Sequence, residues 1–260
     1  MMDQFSSLPG VRPPAARSLT GEWRDYAAFL RRPWVPDRAT GPNARSLLAT
    51  LRLLLLDYAL MAVLMGIGGL ALLGGFEFPD NALESLEWSG ATLALVILLA
   101  PIGEEVMFRG WLSGRLGHVL AVLVLIVGGI AQSAVVTATA LDGTAGTPVA
   151  GQLVLPVAII VALALLYLLR RREVMPWFAA RTFPVLFWLS ALAFATIHIW
   201  NYEEAPGPLL FALVIPQLIA GTIFGYARVR YGLWSAVLLH ILHNGTAVSL
   251  ALLTSGMMGG

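Results

Sequence analysis

Lysine and cysteine are both absent from this 260-residue chain. Without cysteine there is no disulfide framework, thiol nucleophile or thiolate metal site, and no redox compartment to infer. Without lysine, Ser–Lys dyads and Schiff-base chemistry are excluded. Charge is scarce as well: 12% of residues are charged, where a soluble domain has about a quarter. Against that stand 58% hydrophobic residues and a mean hydropathy of +0.79. These proportions exclude a disordered chain, a nucleic-acid partner and an ordinary soluble enzyme. The length is better divided by the ~20 residues that a membrane helix needs.

The net charge of +1 says little, but the placement of the 16 basic residues, all arginine, says more. Residues 1–46 hold seven of them, with four acids and several prolines. No apolar run of signal-peptide type occurs there, so no cleaved signal is expected. Trp23, Tyr26, Leu30 and Trp34 recur at near-helical spacing beside Arg24, Arg31 and Arg32. That stretch is either a short interfacial helix or part of a solvated basic tail.

The remainder reads as seven hydrophobic spans, at about 47–73, 90–114, 118–140, 150–169, 183–202, 208–227 and 233–254. Strands cannot compete, because an open sheet edge is intolerable in lipid. The fold class is therefore all-α, a polytopic transmembrane helical bundle. Arginine sets the orientation. It occurs in the first tail, at Arg109 and Arg115, at Arg170–Arg172 and Arg181, and at Arg228 and Arg230. The connections between carry only acids: Glu77, Asp80, Glu84 and Glu87, then Asp142, then Glu203 and Glu204. Every alternate connection is basic, which puts the N-terminus in the cytoplasm and the C-terminus outside. Gly110–Gly114 and Gly221–Gly225 have GxxxG spacing, read here as close packing inside one bundle.

Ionisable side chains within a span cost roughly 2.5–3.5 kcal/mol each, so the few present are informative. Arg52, near the cytoplasmic end of span one, can snorkel; Asp57 is deeper and needs a partner. Span two carries Glu104, Glu105 and Arg109. Glu105 and Arg109 are four apart with the acid first, the favourable order. Glu104 points elsewhere, since successive helical residues diverge by about 100°, and is left as a candidate general base. Span five carries Phe194 and His198. Span seven carries His240, His243 and Asn244, with His240 and Asn244 on one face and able to offer N–H donors to an oxyanion. His118 lies at a span boundary, where a histidine needs no special reason. A proton- or ion-coupled transporter could use the same buried groups as a relay, although no internal repeat supports one.

Three motifs on three spans resemble the CPBP family, the CAAX proteases and bacteriocin-processing enzymes, which are intramembrane proteases. EExxxR stands as Glu104-Glu105 to Arg109, FxxxH as Phe194 to His198, and HxxxN as His240 to Asn244. The resemblance covers about residues 90–254, with a hairpin insertion at about 118–169. Residues 47–89 form the first span and its external loop. The spacing departs from the family pattern, where the second motif follows soon after the first. The resemblance implies a glutamate-type peptidase: Glu104 and His198 hold and deprotonate a water, and His240 and Asn244 stabilise the oxyanion. Glu105, Arg109 and Phe194 support them, and His243 is a reserve for His240. No cofactor is expected. Zinc on His198, His240 and Glu104 is the less favoured alternative, because it would consume the base. HExxH, GxSG and GxGD motifs are absent. The implied partners are membrane lipid and a membrane-anchored protein or peptide substrate. The arginine-only composition points to a bacterial inner membrane.

Overall fold

The computed structural model describes residues 18–82, 86–141, 149–202 and 207–258. In chain order the helices are α1 (Leu19–Arg31), α2 (Ala44–Leu73), α3 (Gly90–Ala94), α4 (Ala100–Arg109), α5 (Leu116–Leu141), α6 (Val149–Gln152), α7 (Val154–Leu168), α8 (Phe183–Ile197), α9 (Gly207–Leu213), α10 (Ile215–Arg230) and α11 (Leu233–Met258). A π-helical turn, Leu95–Leu99, joins α3 to α4, and a 3-10 turn, Gly110–Ser113, prolongs α4. A second π turn, Phe178–Thr182, leads into α8, and a 3-10 turn, His198–Asn201, ends it.

The chain is an integral, polytopic, all-α membrane protein. Among the described residues, five stretches are long and apolar enough to cross a bilayer: Ala44–Leu73, Gly90–Ser113, Leu116–Leu141, Phe183–Asn201 and Leu233–Thr254. The other two of the seven expected spans fall short of that standard for physical reasons. The 150–169 stretch is divided at Leu153 between α6 and α7, and the 15 residues of α7 alone reach about 22 Å at 1.5 Å per residue, less than the ~30 Å hydrocarbon core. The 208–227 stretch breaks at Val214 into α9 and α10. Pro216, in the first turn of α10, lacks the N–H that a continuous helix would need there.

Helix α10 is the centre of the bundle, packed against α1, α2, α8 and α11. Every residue from Ala220 to Arg230 is buried. Gly221 and Gly225 allow this: a Cβ on Gly225 would come within 2.8 Å of the Phe187 ring. Helices α5 and α7 pack chiefly on each other, Gly128 facing Ala158.

The connections gather at two ends. At one end, Thr40 and Gly41 donate backbone N–H groups to the carbonyls of Arg230 and Tyr231, and Met175 donates to Gly114. Arg115 pairs with Val174 there in an isolated bridge. At the other end, Asn81 bridges to Tyr202, and Ala82 donates to the Asn201 carbonyl. The arginine-bearing connections thus meet one another. Glu84, Asp142, Glu203 and Glu204, which the charge pattern also uses, lie outside the described residues.

The amphipathic stretch near the N-terminus is helix α1, and it is docked on the bundle. Glu22, Tyr26 and Phe29, spaced four and three apart, are buried. Of the expected stripe, Tyr26 is buried and Leu30 and Trp34 pack half-buried against the same core, while Trp23 lies at its edge. Glu22 Oε1 accepts from the hydroxyls of Tyr231 at 2.5 Å and Tyr226 at 3.3 Å. Tyr26 shares a hydrogen bond with Thr222 at 2.6 Å, and Trp23 Nε1 donates to the Arg52 carbonyl at 2.9 Å. Burial pushes the Glu22 carboxyl above its ordinary value, against the opposing pull of Tyr231, Arg230 and Tyr226.

Candidate active site

The site is assembled on α4, whose start is irregular. Pro101 has no N–H to give, and Ala100 reaches back five residues to the Leu95 carbonyl. The Val96 carbonyl, which Ala100 would satisfy in a regular α-helix, is therefore left for another donor. Asn244 Nδ2 of α11 takes it at 3.0 Å. One of the two amide hydrogens of Asn244 thus fixes α11 against the π turn, and the other remains.

One turn later, Glu105 and Arg109 form the pair that their spacing predicts. Arg109 Nη1 donates to Glu105 Oε1 at 2.5 Å, and both side chains are fully buried. The guanidinium lies over the Phe194 ring at 3.9 Å, a cation–π contact, and its Nη2 reaches the Gly221 carbonyl at 3.5 Å. A Cβ on Gly221 would approach both Arg109 and Phe194 to 3.1 Å, so glycine makes room for the buried cation.

Glu105 has a second partner that the sequence reading did not foresee. His240 Nδ1 donates to its Oε1 at 2.9 Å. The same ring places Nε2 at 3.7 Å from Glu104 Oε2, an oxygen with no hydrogen-bond partner among the described residues. The expectation that the two glutamates could not face one partner is therefore corrected. They diverge around α4 as expected, but an imidazole has donors on opposite edges and spans the angle. Phe224 stacks on His240 at 4.8 Å and Phe194 meets it edge-on at 5.6 Å.

Arg109 and Glu105 cancel each other's charge. His240 lies between the two carboxylates, where its Nε2 can share a proton with Glu104. With Nδ1–H committed to Glu105, His240 offers a second N–H only as an imidazolium.

His198 stands at the end of α8, where the 3-10 turn begins. Its Nδ1 lies 2.7 Å from the Phe194 carbonyl. A carbonyl can only accept, so the proton is on Nδ1 and Nε2 carries the lone pair. The Phe194 ring sits 4.7 Å from His198 and contacts Arg109, His240 and Phe224 as well. It is the packing centre that brings the three motifs together.

His243 does not join this cluster. Asp57 Oδ2 of α2 accepts from its Nδ1 at 2.6 Å, which supplies the partner that Asp57 needed. The only signal for this pair in the sequence was the cost of an unpaired intramembrane aspartate. Next to it, Tyr58 bonds to Thr246 at 2.6 Å, and further along the same seam Thr50 bonds to Ser235 at 2.7 Å. His118 bonds to Ser113 Oγ at 2.7 Å, away from the cluster. Among the described residues, no group of three or more His, Asp or Glu side chains could hold a metal ion.

A family model described as Rce1-like, type II CAAX prenyl endopeptidase Rce1-like, matches residues 86–246, more than half of the chain. The matched stretch carries all three motifs and excludes α1, α2 and with them Asp57. No curated protein matches the chain, and no solved structure matches it.

Proposed function

The chain belongs to the Rce1-like family of type II CAAX prenyl endopeptidases, and from that premise we propose that it is an intramembrane endopeptidase cleaving a membrane-anchored protein or peptide. The observation that carries this reading is the Glu104–His240–Glu105–Arg109 cluster, in which one carboxylate oxygen, without a hydrogen bond among the described residues, lies 3.7 Å from an imidazole nitrogen. Glu104 is the base. It takes a proton from a water that His198 Nε2 also holds, and the water oxygen attacks the scissile carbonyl. The oxyanion is met by the second N–H of Asn244 and by protonated His240. Collapse of the tetrahedral intermediate breaks the C–N bond, and the proton returns to the leaving amine. Glu105 and Arg109 hold His240 in register, and His243 is held apart by Asp57. The reaction draws on no metal.

All seven hydrophobic stretches traverse the membrane in this reading, with the N-terminus in the cytoplasm. The meeting of the arginine-bearing connections at one end supports it. Residues 1–46 are the cytoplasmic segment, 47–89 the first span and its outer loop, and 90–254 the peptidase core with its hairpin at about 118–169. The host is a bacterium and the membrane its inner one. A membrane-anchored tail suits that setting better than a prenylated protein. The test compares the termini of membrane-anchored proteins in a deletion strain rescued by wild type or by Glu104→Gln. One protein should keep its uncleaved terminus in the strain rescued by Glu104→Gln. Identical termini in both strains would refute the reading.

A further inference from the structure

A cavity of mixed lining lies at the arginine-bearing end of the bundle, away from the glutamates. Its volume is about 250 Å³, and its lining includes Asp37, Arg38, Ser113, Arg115, His118 and Arg228. Arg228 is the unusual member. It is only 6% exposed, yet among the described residues it makes no ion pair. Two of its nitrogens are occupied: Nε donates to the Arg109 carbonyl at 3.0 Å and Nη2 to the Gly110 carbonyl at 2.9 Å. Nη1 has no hydrogen bond among the described residues. Glu105 acts on it electrostatically but is already paired with Arg109, so a guanidinium that deep still favours an added anion.

The other polar lining groups are Asp37, Arg38, Ser113, Arg115 and His118, set among the apolar Val35, Leu112 and Val229. His118 Nδ1 lies 2.7 Å from Ser113 Oγ and 3.4 Å from Arg228 Nη2. Arginine can only donate, so Nδ1 accepts and the His118 proton sits on Nε2. Arg38 and Arg115 add two more cations, although Arg115 Nε and Nη2 also donate to the Arg172 and Arg170 carbonyls, and Asp37, which is exposed, is the single acid. Arg115 and His118 belong to the start of α5, where the helix dipole also favours an anion. The cavity falls below the ~300–1,000 Å³ of drug-sized sites, a size suited to a headgroup. Several guanidinium forks favour tetrahedral phosphate over a carboxylate.

We propose that this cavity binds a phosphate group, with Arg228 and His118 as its floor and Arg38 and Arg115 as its rim. The phosphate comes from an anionic phospholipid headgroup or from a soluble phosphate. This site is independent of the peptidase reading, although Arg228 also clamps the end of α4.

The test uses the full chain purified in neutral detergent. Two probes are titrated: inorganic phosphate by calorimetry, and phosphatidylglycerol against phosphatidylcholine by native mass spectrometry. Wild type should show one saturable site for a phosphate-bearing probe, weakened at least tenfold in Arg38→Gln/Arg115→Gln and in Arg228→Met. Saturation by phosphatidylglycerol alone assigns a membrane source, and saturation by inorganic phosphate a soluble one. Arg24→Gln/Arg31→Gln, which removes exposed arginines outside the cavity, should leave the affinity unchanged. If Arg228→Met does not fold, the rim variant and His118→Ala carry the test. The proposal is overturned by equal affinity in wild type and rim variants, by equal loss in the Arg24/Arg31 control, by equal retention of the two lipids without phosphate binding, or by no binding of either probe.

Discussion

Replacing each of the adjacent glutamates by glutamine separates chemistry from architecture. Glu105→Gln keeps an oxygen that can accept from Arg109 but removes the charge. Arg109 is fully buried, and beyond Glu105 it has one carbonyl at 3.5 Å, the Phe194 ring at 3.9 Å and the more distant Phe108 and Phe224 rings. Breaking a buried ion pair from one side costs about 3–5 kcal/mol, where whole domains are stable by roughly 5–15 kcal/mol. His240 loses its charged acceptor at the same time. At about 2–4 °C per kcal/mol for a chain near this size, the midpoint should fall by roughly 6–20 °C. Glu104→Gln has fewer liabilities: among the described residues its Oε2 makes no hydrogen bond, only a 3.7 Å approach to His240 Nε2, and its side chain is 27% exposed. Stability should move by less than about 1 kcal/mol. Turnover should fall by about 10²–10⁴-fold, the usual contribution of a general base. Thermal unfolding in detergent and cleavage of a membrane-anchored reporter in proteoliposomes read the two quantities. Equal loss of midpoint in both variants, or a Glu104→Gln protein that still turns over near the wild-type rate, would refute the division.

Asn244→Ala should act twice. It leaves the Val96 carbonyl unsatisfied, about 1–3 kcal/mol, and removes an oxyanion donor, about 10²–10³-fold in rate; a rate loss no larger than the loss of folded protein would remove the second role. Asp57→Asn should lower the unfolding midpoint while leaving kcat within a few-fold once folded protein is matched, because His243 lies outside the catalytic cluster; a catalytic collapse at matched folding would place it inside. Glu22 has a raised folded-state pKa, so its contribution to stability is fully present below the ordinary 4.5 and is lost as pH rises through the raised value. Glu22→Gln should therefore flatten the midpoint-against-pH curve above 4.5 and exceed wild type at neutral pH; an unchanged slope would contradict the burial argument.

What could be read in the sequence was whatever depends on spacing along one helix. Glu105 and Arg109 are four residues apart, and the pair forms as read. The helical class, five of the spans and the alternation of basic connections rest on composition and are similarly local. The second partner of Glu105, the pairing of Asp57 with His243 and the docking of α1 through Glu22 are contacts between distant helices, and no periodicity encodes those. Asn244 shows why this matters for function. Its spacing from His240 suggested two donors aimed at one oxyanion. The structure gives one of its hydrogens to Val96, because Pro101 forces the helix ladder to slip and strands that carbonyl. The proline was visible in the sequence, as was the asparagine on another span. Their connection runs through a backbone oxygen that has no letter in the sequence. The slip is also what fixes α11 against α4, and so holds His240 between the two glutamates.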